Sequence, residues 1–167
     1  MPLGNPLEIL LAHDRWATHQ LLKACETLSP EQFHRRFEMG RGSLHDSIAH
    51  MIAAMRAWTD VLALRPPRPR VDSDGIQRTV SELTALLDES ADELSRLALG
   101  HPVDEIVSRE RDGKTYTFTR GGVAAHATTH DMHHRAQCLN MLRQLGAVPL
   151  PPSSVLDWML LADKPKV

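Results

Sequence analysis

Histidines form the pattern in this sequence that is most suggestive of chemistry. Ten of the 167 residues are histidines, and four of the ten fall within nine positions, at His126, His130, His133 and His134. On a helix, residues three or four apart share a face, so His126, His130 and His134 form one row with His133 beside it. Two imidazoles at positions i and i+4 can chelate one metal ion, as they do in zinc sites on helices. The spacing predicts a transition-metal site but does not name the metal, because imidazole binds Zn, Ni, Cu and Fe.

A pH-sensitive or incidental histidine cluster is the alternative interpretation. A metal would need a third ligand from a neighbouring helix, and the candidates are His13, His19, His45 and His50. The helical periodicity does not choose between His45 and His50. Around His50, at helical spacing, lie small side chains that leave space for an ion, namely Ser47, Ala53, Ala54 and Ala57.

Length and composition indicate one domain over residues 1–167 and exclude several functions. The net charge of −2 provides no field that would attract nucleic acid or an anionic membrane. No uninterrupted apolar run exceeds five residues, so we expect no transmembrane helix. The N-terminal segment lacks the features of a secretory signal, and we expect a cytoplasmic protein in which Cys25 and Cys138 are reduced and buried.

Hydrophobic periodicity and capping residues predict four long helices. Asn5 and Ser43 are the predicted N-caps of the first two, with Asp46 as the capping-box partner of Ser43. The sequence Asp74-Gly75-Ile76-Gln77 is the predicted start of the third. The fourth is apolar on several sides, which is typical of a helix buried in a core or covered by a partner. The four helices are expected over approximately 5–28, 43–64, 74–100 and 121–145.

The connections between these helices also carry signals. Residues 65–73 form a proline-rich connection whose three arginines are interpreted as part of a solvated loop rather than an anion site. Residues 103–119 are predicted to form a small hairpin or extended segment, because Asp112-Gly113 is a hairpin turn signal. Ser154 is the predicted cap of a short final helix. The fold class is therefore all-α, a four-helix bundle, in which metal sites arise from facing helices.

Several segments resemble motifs of the DinB/YfiT-like superfamily. The stretch 42–58 resembles its second-helix motif, in which a serine-capped helix carries one metal histidine and a tryptophan eight residues later. The stretch 130–137 resembles its fourth-helix motif, HxxxHRGQ. Residues 14–22 resemble its first helix, and residues 113–119 resemble the segment that precedes the ligand helix.

This resemblance implies an up-down-down-up bundle, often a homodimer, that binds one divalent metal such as zinc, nickel, iron or manganese. By position, the implied metal ligands are His50, His130 and His134. His126, His133 and Gln137 would then be pocket residues that orient ligands or transfer protons. Arg135 points away from the ligand side and is expected to be structural or to lie at a subunit contact.

Two positions depart from the family pattern. Ala136 stands where the motif has glycine, and Arg56 stands where many members have glutamate. Neither position is an implied ligand, so the metal prediction is unaffected, but a role for that glutamate in substrate handling does not carry over.

Three imidazole ligands leave at least one coordination position open, which favours metal chemistry over a closed structural site. Characterised relatives include S-transferases that use bacillithiol or mycothiol and a maleylpyruvate isomerase. The resemblance thus implies a metal-dependent enzyme acting on a small molecule, such as a thiol S-transferase with an electrophilic substrate. The alternatives are a metal-dependent hydrolase, a non-catalytic metal-binding stress-response protein, and a structural helical dimer with incidental histidines.

Overall fold

A computed structural model describes residues 3–163. Four long helices dominate it, and a two-stranded hairpin precedes the last of them. Helices α1 and α3 each pack against both α4 and α5, and the apolar core lies between the four. The predicted mostly helical bundle is confirmed, whereas the up-down-down-up order and the single domain over 1–167 stay predictions. The elements are α1 (Pro6–Cys25), α2 (Pro30–His34), α3 (Leu44–Leu62), α4 (Val80–Leu99), β1 (Ile106–Arg111), β2 (Lys114–Thr119), α5 (Arg120–Gln144) and α6 (Val155–Leu161).

Capping residues determine where α1 and α2 begin. Asn5 accepts a hydrogen bond from the backbone N–H of Leu7, as its position before α1 predicts. Helix α1 ends at Cys25, short of the predicted end near Leu28, and a short helix that was not predicted follows. This helix, α2, forms because Ser29 and Gln32 make a reciprocal capping box.

The N-terminus of α3 is capped by one predicted residue and not by the other. Ser43 accepts from the N–H of Asp46 at 3.0 Å, so the predicted N-cap is confirmed. The predicted capping box is wrong, because the Asp46 carboxylate instead accepts from Arg36 at 2.7 Å and lies 2.9 Å from His45 Nδ1. Arg36, which lies outside the helix, and the ring of the neighbouring His45 therefore take the carboxylate that the sequence assigned to the cap.

The predicted start of the third long helix at Asp74 is wrong. Asp74 accepts from the N–H of Ile76 in a local turn, and Gly75 adopts a left-handed φ of +77°. Thr79 is the actual N-cap of α4, and its capping box with Glu82 satisfies two helix-end donors. Ile76, which the predicted helix included, consequently lies before α4 and is 56% exposed.

The hairpin predicted within 103–119 is confirmed. Strands β1 and β2 pair antiparallel around Asp112 and Gly113, whose φ angles of +53° and +72° are those of the primed turns that hairpins prefer. The pairing places Val107 opposite Phe118 and Arg109 opposite Tyr116. Since side chains alternate between the two faces of a strand, these four lie on the same face of the hairpin.

Helix α5, which was predicted to be apolar on several sides, has one exposed face. Met132 is 54% exposed and Ala136 lies on the same exposed face, while the charged residues Asp131 and Arg135 are buried. The guanidinium of Arg135 donates to the Asp14 carboxylate at 2.6 Å inside the bundle. Of the two roles expected for Arg135, this contact supports the structural one. This ion pair joins α1 to α5.

The connection 65–73 is largely exposed to solvent, as predicted, and its three arginines form ion pairs. Arg65 and Arg68 bind Glu93, and Arg70 binds Asp72. Both cysteines are free and buried, as predicted. None of the helices within residues 3–163 combines the length and the apolar character needed to cross a membrane.

Candidate metal centre

Three histidine rings from two helices meet between α3 and α5. His50 lies on α3, almost two turns from its start, and His130 and His134 lie one turn apart on α5. The His50 ring centroid is 5.2 Å from that of His130 and 4.8 Å from that of His134, and the latter two are 4.6 Å apart. One ring nitrogen from each residue lies within 4.8 Å of the other two. The structure thus brings together the three histidines that the resemblance implied as ligands, hereafter the histidine triad.

Each ring of the triad has an oxygen acceptor at Nδ1. His50 Nδ1 lies 2.8 Å from Asp72 Oδ2, and His134 Nδ1 lies 2.9 Å from Gln137 Oε1. His130 Nδ1 has a longer contact of 3.3 Å with Asp131 Oδ1. Because an oxygen acceptor favours the proton on Nδ1, the Nε2 lone pair of each ring is left available. This is how metal-binding histidines are oriented in proteins.

Gln137 holds two histidines at once. Its Oε1 accepts from His134, while its Nε2 lies 3.1 Å from His133 Nε2 and donates to it. The turn at Gly40 backs this amide, since a Cβ atom placed there would lie 2.5 Å from Gln137 Oε1. A glycine is favoured at that position both by this close approach and by its left-handed φ of +54°.

The electrostatics of the triad favour neutral rings. Burial lowers the pKa of His50, His130 and His134, and the proximity of other histidines lowers the pKa of His50 and His134 further. Neutral imidazoles are the form that binds a metal ion, because a protonated ring has no free lone pair.

The residues present fit a transition-metal ion. Three nitrogens no more than 4.8 Å apart fit within a sphere of radius about 2.8 Å, a little above a Zn–N bond of about 2.1 Å. A donor set of neutral imidazoles suits Zn, Ni, Cu and Fe rather than Ca or Mg. The three histidines could therefore hold such an ion.

The other candidate histidines are engaged elsewhere. His13 Nε2 lies 2.9 Å from the Ser153 carbonyl oxygen, and His19 Nε2 lies 2.8 Å from Asp88. His45 contacts Asp46 through Nδ1 and accepts the Arg78 backbone N–H at Nε2. These three rings form hydrogen bonds to other parts of the fold and lie outside the triad.

The two remaining histidines of the α5 cluster flank the triad and are exposed to solvent. The His126 ring packs edge-on against Trp58 at 4.7 Å and lies 5.9 Å from His130. The His133 ring lies 5.2 Å from His134 and shares Gln137 with it. Both positions are adjacent to the triad without lying within the three-nitrogen cluster.

Residues that the sequence did not single out also shape the site. Asp72, in the proline-rich connection, is 6% exposed and orients His50. Behind His130, Asp131 and Asp14 are buried beside Arg135. Burial raises the pKa of both carboxyls, and the guanidinium of Arg135 opposes this rise. The only sequence signal for Asp72 is an aspartate near arginines, which does not indicate its partner.

The three-histidine cluster lies between two facing helices of the bundle. The protein therefore belongs to the class of helical bundles with a candidate metal centre. The sequence model that describes the DinB family matches residues 3–159 of this chain, so the chain belongs to the DinB family. This confirms the family that the motifs on α3 and α5 predicted. A comparison with curated proteins finds no match.

Proposed function

We propose that the histidine triad binds one divalent transition-metal ion and that the protein is a metal-dependent enzyme, a thiol S-transferase acting on small electrophiles. The observation that carries the proposal is the convergence of three ring nitrogens within 4.8 Å, with an oxygen at each Nδ1. Incidental histidines would not be expected to share this orientation. The family adds support, because its helix motifs place histidines at these positions.

The triad provides three ligands and leaves room for a substrate. Among the described residues, the cluster contains no fourth histidine, cysteine or carboxylate, which is typical of catalytic rather than structural sites. A divalent ion bound there supplies Lewis acidity, which lowers the pKa of a bound thiol or water and polarises a carbonyl.

The side chains around the triad have separate tasks in this proposal. Asp72 and Gln137 hold the rings of His50 and His134 in position. His126 is exposed next to His130, and its ring makes no hydrogen bond within the described part of the chain, so the ring can accept the proton that an incoming thiol releases. The sulfur then bonds to the electrophilic carbon, and the leaving group departs from that carbon.

The nucleophilic sulfur must come from outside the protein. Cys25 and Cys138 are 1% and 0% exposed, and burial raises the pKa of Cys138 to about 12. Neither is a usable nucleophile at neutral pH. A low-molecular-weight thiol such as bacillithiol or mycothiol fits the proposal. A homodimer and a specific metal remain predictions of the family resemblance.

Metal content tests the site directly. Protein purified without a histidine tag is expected to contain about one zinc, nickel, iron or manganese ion per chain by elemental analysis. His50→Ala and His130→Ala should each lose most of it, because two imidazoles hold an ion far less tightly than three. His101→Ala is the matched control, since His101 is exposed and contacts only Glu105. Unchanged metal content in His130→Ala would contradict the metal centre.

Turnover tests the reaction. The metal-loaded protein is expected to conjugate a low-molecular-weight thiol to 1-chloro-2,4-dinitrobenzene, and the metal-free protein and His130→Ala should not. Hydrolysis of esters without thiol conjugation would identify a hydrolase instead. Metal binding without turnover on either substrate panel would identify a non-catalytic metal-binding protein.

A further inference from the structure

A cavity of about 310 Å³ lies between the hairpin and α3. This volume is at the lower end of the range of about 300–1,000 Å³ for small-molecule sites, so it suits one ring-sized group. We call it the hairpin cavity. The residues that line it are Trp58, Arg109, Arg111, Asp112, Tyr116 and Phe118.

The register of the hairpin builds this cavity. Val107 and Arg109 of β1 stand opposite Phe118 and Tyr116 of β2, on one face of the ribbon. Val107 is 1% exposed, so this face is turned toward the bundle. The Trp58 ring of α3 meets Phe118 edge-on at 5.6 Å. Aromatic side chains therefore form the wall of the cavity, and a guanidinium lies beside them.

Arg109 is the distinctive residue of the cavity. Within the described part of the chain, no carboxylate lies within 4 Å of its guanidinium, and its Nε is buried without a hydrogen-bond partner. Arg65, by contrast, binds both Asp60 and Glu93. Elsewhere in residues 3–163, the Nε atoms of Arg56, Arg68 and Arg120 also lack a hydrogen-bond partner, but Arg109 lines this cavity, where a ligand could satisfy its donor.

The charge of the cavity is positive. Asp112 is the acidic residue in its lining, and it pairs at 3.4 Å with Arg111, with both side chains more than 70% exposed. Arg109 is left without a counter-charge. A planar guanidinium with free N–H groups matches the two oxygens of a carboxylate.

Two ring contacts link the hairpin cavity to the histidine triad. Trp58 lies 4.7 Å from His126, and His126 lies 5.9 Å from His130. The hairpin cavity therefore lies close to the triad, with the exposed ring of His126 between Trp58 and His130.

We propose that the hairpin cavity binds an aromatic carboxylate, which is the recognition group of the substrate that reaches the histidine triad. The aromatic side chains hold the ring by stacking, and Arg109 binds the carboxylate. The role as a substrate site rests on the proposed function, whereas binding in the cavity does not require a metal ion.

Benzoate is the probe. The comparison ligands are benzyl alcohol, which lacks the charge, and acetate, which lacks the ring. The Trp58 indole N–H signal, assigned with Trp58→Phe, is followed by NMR during titration of the metal-free and the metal-loaded protein. Benzoate is expected to shift this signal with saturation, and the other two should bind at least tenfold more weakly. Arg109→Gln should weaken benzoate binding at least tenfold.

Arg143→Gln is the matched control, because Arg143 is exposed near the far end of α5 and should not affect binding. Tyr116→Ala provides a second variant, and because Tyr116 is 45% exposed, its removal should leave the fold intact while weakening benzoate binding. Equal affinity of wild type and Arg109→Gln for benzoate, or no saturable shift, overturns the proposal. If benzoate binding depends on Arg109 but the protein binds no metal, the proposal for the hairpin cavity is supported and the metal centre is overturned.

Discussion

At the scale of single residues, the three rings of the triad are held in different ways. Gln137 is on the same helix as His134, three residues further on, and Asp131 directly follows His130. The partner of His50 is Asp72, which lies outside any helix and also binds Arg70. The Asp72 carboxylate is thus shared between a ring and a guanidinium, and burial leaves it little freedom to move.

Asp72→Ala is expected to lower the metal affinity of the triad about 10- to 100-fold, because His50 loses the acceptor that fixes its ring. Competition with a chromophoric chelator measures this change. Asp74→Ala is the control, since Asp74 lies in the same connection and binds Arg78 instead. If both variants bind metal as tightly as the wild type, Asp72 does not position His50.

At the scale of the elements, the contact between α1 and α5 depends on a buried ion pair. Arg135 Nη1 binds Asp14 Oδ1 at 2.6 Å and Thr18 Oγ1 at 3.0 Å. The two charged side chains are 2% and 3% exposed. Charges this deeply buried are retained only when they are paired, so each helix depends on the other for the pairing.

Arg135→Met is expected to lower the free energy of unfolding by about 3 kcal/mol, because it leaves Asp14 buried without its partner. Urea denaturation provides the measurement. Replacing both residues, as in Asp14→Leu with Arg135→Met, should recover part of the loss. Arg143→Met, at an exposed position, should change little. A loss of less than about 0.5 kcal/mol for Arg135→Met, the size of a typical surface substitution, would show that the ion pair does not stabilise the contact between the helices.

At the scale of the whole molecule, buried histidines make the fold sensitive to acid. Burial lowers the pKa of His13, a residue of α1 that is 4% exposed and donates to the Ser153 carbonyl near α6. At His13 the folded chain therefore binds fewer protons around and below about pH 6.5 than the unfolded chain does. The contribution to stability is present above that pH and is lost as the pH falls toward the lowered pKa.

The contribution of His13 to the stability of the metal-free protein is accordingly expected to fall between about pH 6.5 and 5, by up to about 1.4 kcal/mol per pH unit. His13→Gln keeps a donor for Ser153 but does not titrate, so it should reduce the pH dependence. His101→Gln, at an exposed position, should leave it unchanged. Urea denaturation at several pH values compares the three proteins, and identical slopes for His13→Gln and wild type would contradict the role of His13.

Local sequence was sufficient for features that depend on neighbouring residues. The caps Asn5 and Ser43 were predictable because a short polar side chain before an apolar helical pattern satisfies the helix-end donors. The hairpin was predictable from Asp112-Gly113, which adopts left-handed φ angles readily. The pairing of His130 with His134 followed from helical geometry alone, since four residues make about one turn.

The sequence by itself determined the presence of the four long helices, the hairpin turn and the histidine pair on α5, because each depends on contacts within a few residues. Tertiary structure decided which of four other histidines meets that pair, since this depends on how α3 packs and rotates against α5. It also decided that Asp72 reaches His50, that Asp14 and Arg135 are buried together, and that α4 begins at Thr79 rather than Asp74. Each of these outcomes depends on groups distant in the chain or on competition between nearby caps, which local propensity does not resolve.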